Sequence, residues 1–177
     1  MKRILFLAVF IILAAFAAAP ANAWEPKQDE YWIRVNKEKL RLYLRKGEDV
    51  VKSWPVSIGR GKGTVKTSRF DLITPTGTYT IYRVVQDAEK LVFDPAWFNE
   101  EGKPSAGVYG TKLISFYNNW QIAIHGTNNP RSIGRRSTHG CIRLRNRDIE
   151  ELVKYVKPKM KLVIVENDGI PFSTDTI

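Results

Sequence analysis

The sequence predicts a mainly β domain, a sandwich or a barrel, and three observations carry that prediction. Leu40-Arg41-Leu42-Tyr43-Leu44-Arg45 alternates apolar and polar residues with period two, as a half-buried strand does. Further short segments rich in β-branched and aromatic residues recur along the chain. Only one segment stands out with helical periodicity. In chain order, strands are expected at Tyr31 to Val35, Leu40 to Arg45, Val50 to Ile58, Thr78 to Val85, Lys112 to Tyr117, Trp120 to His125 and Lys161 to Glu166. The helix starts at Asn146, whose side chain can cap it, and Asp148, Glu150 and Glu151 suit the positive end of its dipole. Ile149, Leu152, Val153 and Val156 form its apolar stripe, and Lys154, Lys157 and Pro158 close it. Such a stripe needs burial to be stable, so the helix reads as a packing element laid against the sheet. Two connections are longer than joining strands requires: Arg60 to Pro75, carrying Arg60, Lys62, Lys66 and Arg69, and Gln86 to Tyr109, carrying Trp97 and Phe98. Both are candidates for substrate contact. Trp97, Phe98 and Tyr109 read as core or loop anchors ahead of a sugar platform, and Arg135-Arg136 as a solvated turn.

At the amino end, Lys2 and Arg3 precede sixteen apolar residues from Ile4 to Ala19, and Ala21-Asn22-Ala23 offers small residues for cleavage. That is the pattern of an export signal over residues 1–23, and the apolar run is shorter than the roughly 20 residues of a spanning helix. The mature chain is expected to begin at Trp24, with residues 24–30 as a short lead, 31–166 as one domain and 167–177 as a tail. Removing 23 of the 177 residues leaves 154, enough for one domain with a real core. The formal charge of +10 falls to +8 when Lys2 and Arg3 are lost, leaving a field that attracts anions. Wall carboxylates and acidic head groups fit that field at an exported protein. Nucleic acid is not expected, because no zinc finger and no paired RNP aromatics are present. Membrane proximity is compatible with the charge, although no transmembrane segment follows the signal, and a monomer is expected. No repeat, low-complexity run or Ser/Pro linker marks an attached module.

The single cysteine is informative. In an oxidising compartment it has no intramolecular partner, so its retention points to chemistry rather than to a disulfide. It lies in IAIHGTNNPRSIGRRSTHGCIRL, Ile122 to Leu144, which also holds both histidines. On the Trp120 strand, Ile122 and Ile124 share one face, which leaves His125 on the other face at the strand's end. The polar stretch Gly126 to Thr138 can return the chain and bring Cys141 beside His125. A free thiol has a reference pKa of about 8.5 and attacks carbonyls well only when a base takes its proton. His125 is the favoured base, with His139 the other histidine in reach. Gly140 permits a tight turn in which the Cys141 amide, with that of Gly140, can face a developing oxyanion. Arg143, two residues on, can grip a carboxylate with its planar fork. A buried structural cysteine and a zinc site built from His125, His139 and Cys141 are the competing readings; the second lacks paired ligand spacing and a fourth ligand.

His125-Gly126 followed by Thr138-His139-Gly140-Cys141-Ile142-Arg143 resembles the signature of the L,D-transpeptidase catalytic domain, the YkuD-like family. Val56-Ser57-Ile58-Gly59 and Thr74-Pro75-Thr76-Gly77-Thr78-Tyr79 extend the resemblance, which covers roughly Tyr31 to Glu166. Thr138 stands where Ser is the commoner choice and Arg143 where one branch has Asn. The resemblance implies a β-sandwich with a cleft, Cys141 as nucleophile, His125 as base, Gly126 orienting that base through its carbonyl, and His139, Thr138 and Arg143 shaping or binding substrate. It implies acyl transfer between peptidoglycan stem peptides in the periplasm or cell wall, with loss of a terminal D-alanine, no metal and no organic cofactor, and acylation by carbapenems. Hydrolysis by the same site, as a carboxypeptidase or amidase, and a non-catalytic wall-binding role are the alternatives.

Overall fold

The computed structural model describes residues 24–167, so the expected signal over 1–23 and the tail after Asn167 lie outside the described residues. The strands are β1 (Tyr31–Asn36), β2 (Arg41–Lys46), β3 (Asp49–Pro55), β4 (Ile58–Gly59), β5 (Gly77–Val85), β6 (Val92–Phe93), β7 (Ser105–Ala106), β8 (Leu113–Phe116), β9 (Ala123–His125), β10 (Arg136–Thr138), β11 (Ile142–Arg143) and β12 (Lys161–Val165). One α-helix, α1 (Asn146–Leu152), occurs among the described residues.

Eight strands form one mixed sheet in the order β11-β9-β8-β5-β12-β1-β2-β3, while β10-β4 and β6-β7 are separate pairs. The long strand β5 belongs to both halves. Its first residues, Gly77 to Thr80, pair with β12, and from Ile81 onward it pairs with β8 across a bulge. A bulge bends and twists a strand, so the sheet folds over at β5 and its two halves enclose one core. Ile33, Val35, Leu42, Leu44, Leu162 and Ile164 come from one half, and Ile114, Phe116, Ile124 and Ile142 from the other. The two layers of the expected sandwich are therefore halves of one bent sheet. Its outer edges also meet, because Ser57 and Arg143 exchange both backbone hydrogen bonds at 2.9 and 2.8 Å.

The period-two reading of β2 holds, with Leu42 and Leu44 fully buried. Boundaries differ where the backbone turns. Leu40 sits at φ 51°, so β2 starts at Arg41. The expected strand Val50 to Ile58 breaks after Pro55; Ser57 crosses to Arg143 and β4 pairs with β10, since proline cannot extend a ladder with an N–H. The expected strand from Trp120 begins only at Ala123, because the Asn118 side chain accepts from the amides of Trp120 and Ile122, at 3.0 Å each, and Gln121 adopts φ 55°. The helix ends at Leu152, and Arg145, not Asn146, occupies the position before its first turn. Ile149 and Leu152 are fully buried, and Glu151 ties the helix to β3 through Lys52 and Trp54.

Candidate active site

Strands β9 and β11 run parallel with Ile142 opposite Ile124 and Arg143 opposite His125. Paired residues share a face and alternate residues return to it, so Cys141, Arg143 and His125 point the same way. All three line one cavity of about 530 Å³. No hydrogen bond joins the thiol to the imidazole among the described residues; they lie on the same side of neighbouring strands, offset by two residues in the register.

The turn before Cys141 is held on both sides. Gly140 has φ 130°, and a Cβ there would stand 2.8 Å from the Ile73 carbonyl oxygen, so the position admits only glycine without strain. Its carbonyl accepts from the Thr74 hydroxyl at 2.7 Å. The Thr138 hydroxyl donates to the Cys141 carbonyl at 2.6 Å and accepts from the Gly140 amide at 3.1 Å. The Gly140 amide, expected to face an oxyanion with that of Cys141, is thus engaged within the turn. Thr138, expected at the substrate, borders the cavity, and its buried hydroxyl serves the turn, because buried backbone groups need partners.

His125 Nδ1 lies 2.6 Å from the Gly126 carbonyl oxygen, the arrangement foreseen for Gly126. Gly126 in turn packs against Asn146, whose Oδ1 would be 2.3 Å from a Cβ there. That oxygen accepts from the Thr127 amide at 2.8 Å and the Thr111 amide at 3.4 Å. Asn146, expected to cap its own helix, instead fixes the loop behind the imidazole. Nothing in the sequence separates that role from capping, since both use the same oxygen. Burial drives the His125 pKa down to about 4, aided by the Arg143 cation and opposed by the Gly126 and Tyr109 carbonyls. Burial raises the Cys141 thiol, against the Ala123 amide and the Arg143 and Lys66 charges. At neutral pH the site therefore holds a neutral imidazole and a protonated thiol. Tyr109 meets His125 edge-on, ring centroids 5.1 Å apart, and its hydroxyl is pushed up to about 12 by burial and by Cys141.

His139 faces the other long connection. Its ring stacks on Phe98 at 4.1 Å and lies 5.4 Å from Phe93, and Nε2 is 3.0 Å from Glu100. Glu100 also pairs with Arg60, which joins the two long connections over the site. Glu100 was not legible as a site residue. Phe93, Trp97, Phe98 and Tyr109 line the cavity, so these aromatics are wall as well as anchors. Of the basic residues expected to meet substrate, Arg60 is held by Glu100 and Lys66 by Asp71 at 2.9 Å, while Lys66 and Arg69 border the cavity. The guanidinium of Arg143 reaches Ser132 at 3.0 Å and has no carboxylate partner among the described residues.

The family model of the L,D-transpeptidase catalytic domain, YkuD, matches residues 30–165. The YkuD protein of Bacillus licheniformis, named as an L,D-transpeptidase, is 32% identical over 124 residues, which cover 70% of this chain and 58% of that relative. Among solved structures, the catalytic domain of the E. faecium L,D-transpeptidase superposes with a TM-score of 0.56 at 18% identity, covering 77% of this chain and 98% of that one. The L,D-transpeptidase LdtMt1, in complex with imipenem, gives a TM-score of 0.59 at 18% identity over 77% of this chain and 59% of its own. These two share the fold.

Proposed function

Since the chain belongs to the L,D-transpeptidase catalytic domain family, we propose that it catalyses acyl transfer between peptidoglycan stem peptides with Cys141 as nucleophile, outside the cytoplasm in the periplasm or cell wall. One observation carries the reading: the only thiol of the chain, a buried imidazole and a guanidinium with no carboxylate partner among the described residues line the same cavity. The Gly126 carbonyl accepts from Nδ1–H, which leaves Nε2 with its lone pair. As the thiol attacks the carbonyl of the third stem residue, His125 takes its proton, and the oxyanion forms near the Cys141 amide and the neutral Tyr109 hydroxyl. The amide bond to the terminal D-alanine then breaks, and the imidazolium returns the proton to the departing amine. A thioester on Cys141 remains. An amine of a second stem attacks it, losing a proton to His125, and the restored thiol leaves. Arg143 suits a carboxylate of the donor. No step needs a metal or an organic cofactor.

Incubation with a defined disaccharide-tetrapeptide, followed by mass spectrometry, tests this directly. Dimers or exchanged stems that have lost one D-alanine are expected, and none with Cys141→Ala. Shortened stems alone would assign water as acceptor and make the protein a hydrolase. Since the LdtMt1 structure holds imipenem, a carbapenem is expected to add its mass to this protein and not to Cys141→Ala.

A further inference from the structure

The cavity at Cys141 shares a wall with a second groove. Lys66, Asn119 and Trp120 border both, and beyond them a groove of about 400 Å³ runs past Thr64 to Tyr117. Tyr117 is 64% exposed, and Tyr82, 49% exposed, lies beside it with ring centroids 5.3 Å apart. Neither ring belongs to the hydrophobic core. The fold thus leaves a ledge of two partly exposed aromatic rings at the mouth of the groove.

Arg83 stands at the outer side of the ledge, its guanidinium 5.5 Å from the Tyr82 ring centroid, whereas the polar groups that line the groove itself are neutral or already paired. The ammonium of Lys66 is held by Asp71, and the Asn118 amide is used within its own loop, donating to Phe116 and Ile122 and accepting from Trp120 and Ile122. The side chains of Asn119, Thr64 and Tyr117 make no hydrogen bond among the described residues. The first cavity differs in charge, for it holds Arg143 without a carboxylate partner. A peptide carboxylate finds its partner there, while the only cation among the described residues lining the second groove, Lys66, is already paired with Asp71. Partly exposed aromatic rings with neutral donors and acceptors at their edge suit a pyranose, whose C–H face packs on a ring while its hydroxyl and acetamido groups hydrogen bond.

Resting on the reading of the donor as a stem peptide, we propose that this groove and the Tyr82–Tyr117 ledge bind an N-acetylated amino sugar of the glycan strand that carries the stem. The donor would then be gripped at two places, the peptide at Arg143 and the sugar beyond Trp120.

Two measurements separate this from the transpeptidase reading. In the first, kcat/KM is compared for a disaccharide-tetrapeptide and the same tetrapeptide without sugar. The wild type is expected to prefer the sugar-bearing donor, and Tyr117→Ala or Tyr82→Ala to reduce that preference by roughly three- to tenfold. No preference in the wild type, or equal losses on both donors, would overturn the proposal; a rise in the KM of the acceptor instead would make the groove an acceptor-peptide site. In the second, peptide-free glycan oligosaccharide is titrated into the Cys141→Ala protein by calorimetry. Saturable binding that weakens in Cys141→Ala/Tyr117→Ala supports the proposal even if neither donor is turned over, and no binding refutes it even if transpeptidation is found.

Discussion

At the scale of single residues, the chemistry rests on how the imidazole is held. His125 is neutral over most of the pH range because burial drives its pKa down to about 4, whereas a solvated histidine titrates near 6.5. In the proposed mechanism the base must be unprotonated, so the acid limb of kcat/KM is expected near pH 4 and not near 6.5. Asn146 is a positioning residue in this scheme, because its Oδ1 pins Thr127 and crowds Gly126, whose carbonyl holds the ring. Asn146→Ala is expected to lower kcat/KM by up to about 100-fold, the effect of a displacement near 1 Å. It should also move the acid limb upward as water reaches the ring. A purely structural role would leave that limb in place, so the pH profile of the variant decides. Cys141, His125 and the turn glycine before the thiol were legible from the sequence because their chemistry is written in residue type. Asn146 and Glu100 were not, because what they do depends on contacts 15 or more positions away, such as Asn146 with Thr127 and Glu100 with His139.

The elements tell a similar story about range. The strand β2 was readable because its alternation reports burial directly, and its buried leucines follow it. The break after Pro55 was not, because Ser57 pairs with Arg143, far along the chain, and the late start of β9 was not, because the Asn118 side chain takes amides that a strand reading leaves to the ladder. The long connection from Arg60 to Pro75 illustrates how such partners act. Lys37, fully buried at the end of β1, reaches the Gly63 carbonyl at 2.5 Å and Glu166 beyond β12 at 2.6 Å. A charge buried at the sheet's end thereby ties this connection, and with it Lys66 and Arg69 at the cavity wall, to the strands. Replacing one partner leaves the other uncompensated, although Glu166 is partly exposed and keeps Arg136 at 3.1 Å. Lys37→Met is therefore expected to destabilise by about 1–3 kcal/mol, less than the ~3–5 kcal/mol lost when a fully buried pair is broken. Hydrogen exchange should show the extra opening concentrated between residues 60 and 75. Uniform loss of protection would mean that Lys37 supports the core and not that connection.

Across the whole molecule, the shifted carboxylates and histidines give stability the same dependence on pH in the acid range. Burial pushes the Asp71 carboxyl upward, but the bonds from Lys66 and from the Ser68, Thr67 and Ile73 amides win and hold it well below the usual carboxylate range. Arg60 lowers Glu100; Lys37 and Arg136 lower Glu166 against its burial. His125 and His139 are both lowered by burial. For every one of these groups the unfolded chain binds a proton at a higher pH than the folded chain does, so stability rises with pH. The contributions are fully present above about pH 6.5. The histidine part is lost first, as pH falls from about 6.5 toward 4, and for His125 amounts to on the order of 3 kcal/mol. The carboxylate part follows below about pH 4, where protonation also raises a net charge that is already +10 and adds self-repulsion. Urea unfolding of the wild type is thus expected to give a constant free energy near pH 7 to 8 and a decline that begins below 6.5. His125→Gln should flatten the decline between 6.5 and 4, leaving the smaller share of His139, and should keep the fall below 4. A wild-type curve that stays level down to pH 4 would mean that His125 is hydrated in the folded protein, and the neutral-imidazole route to thiol activation would go with it.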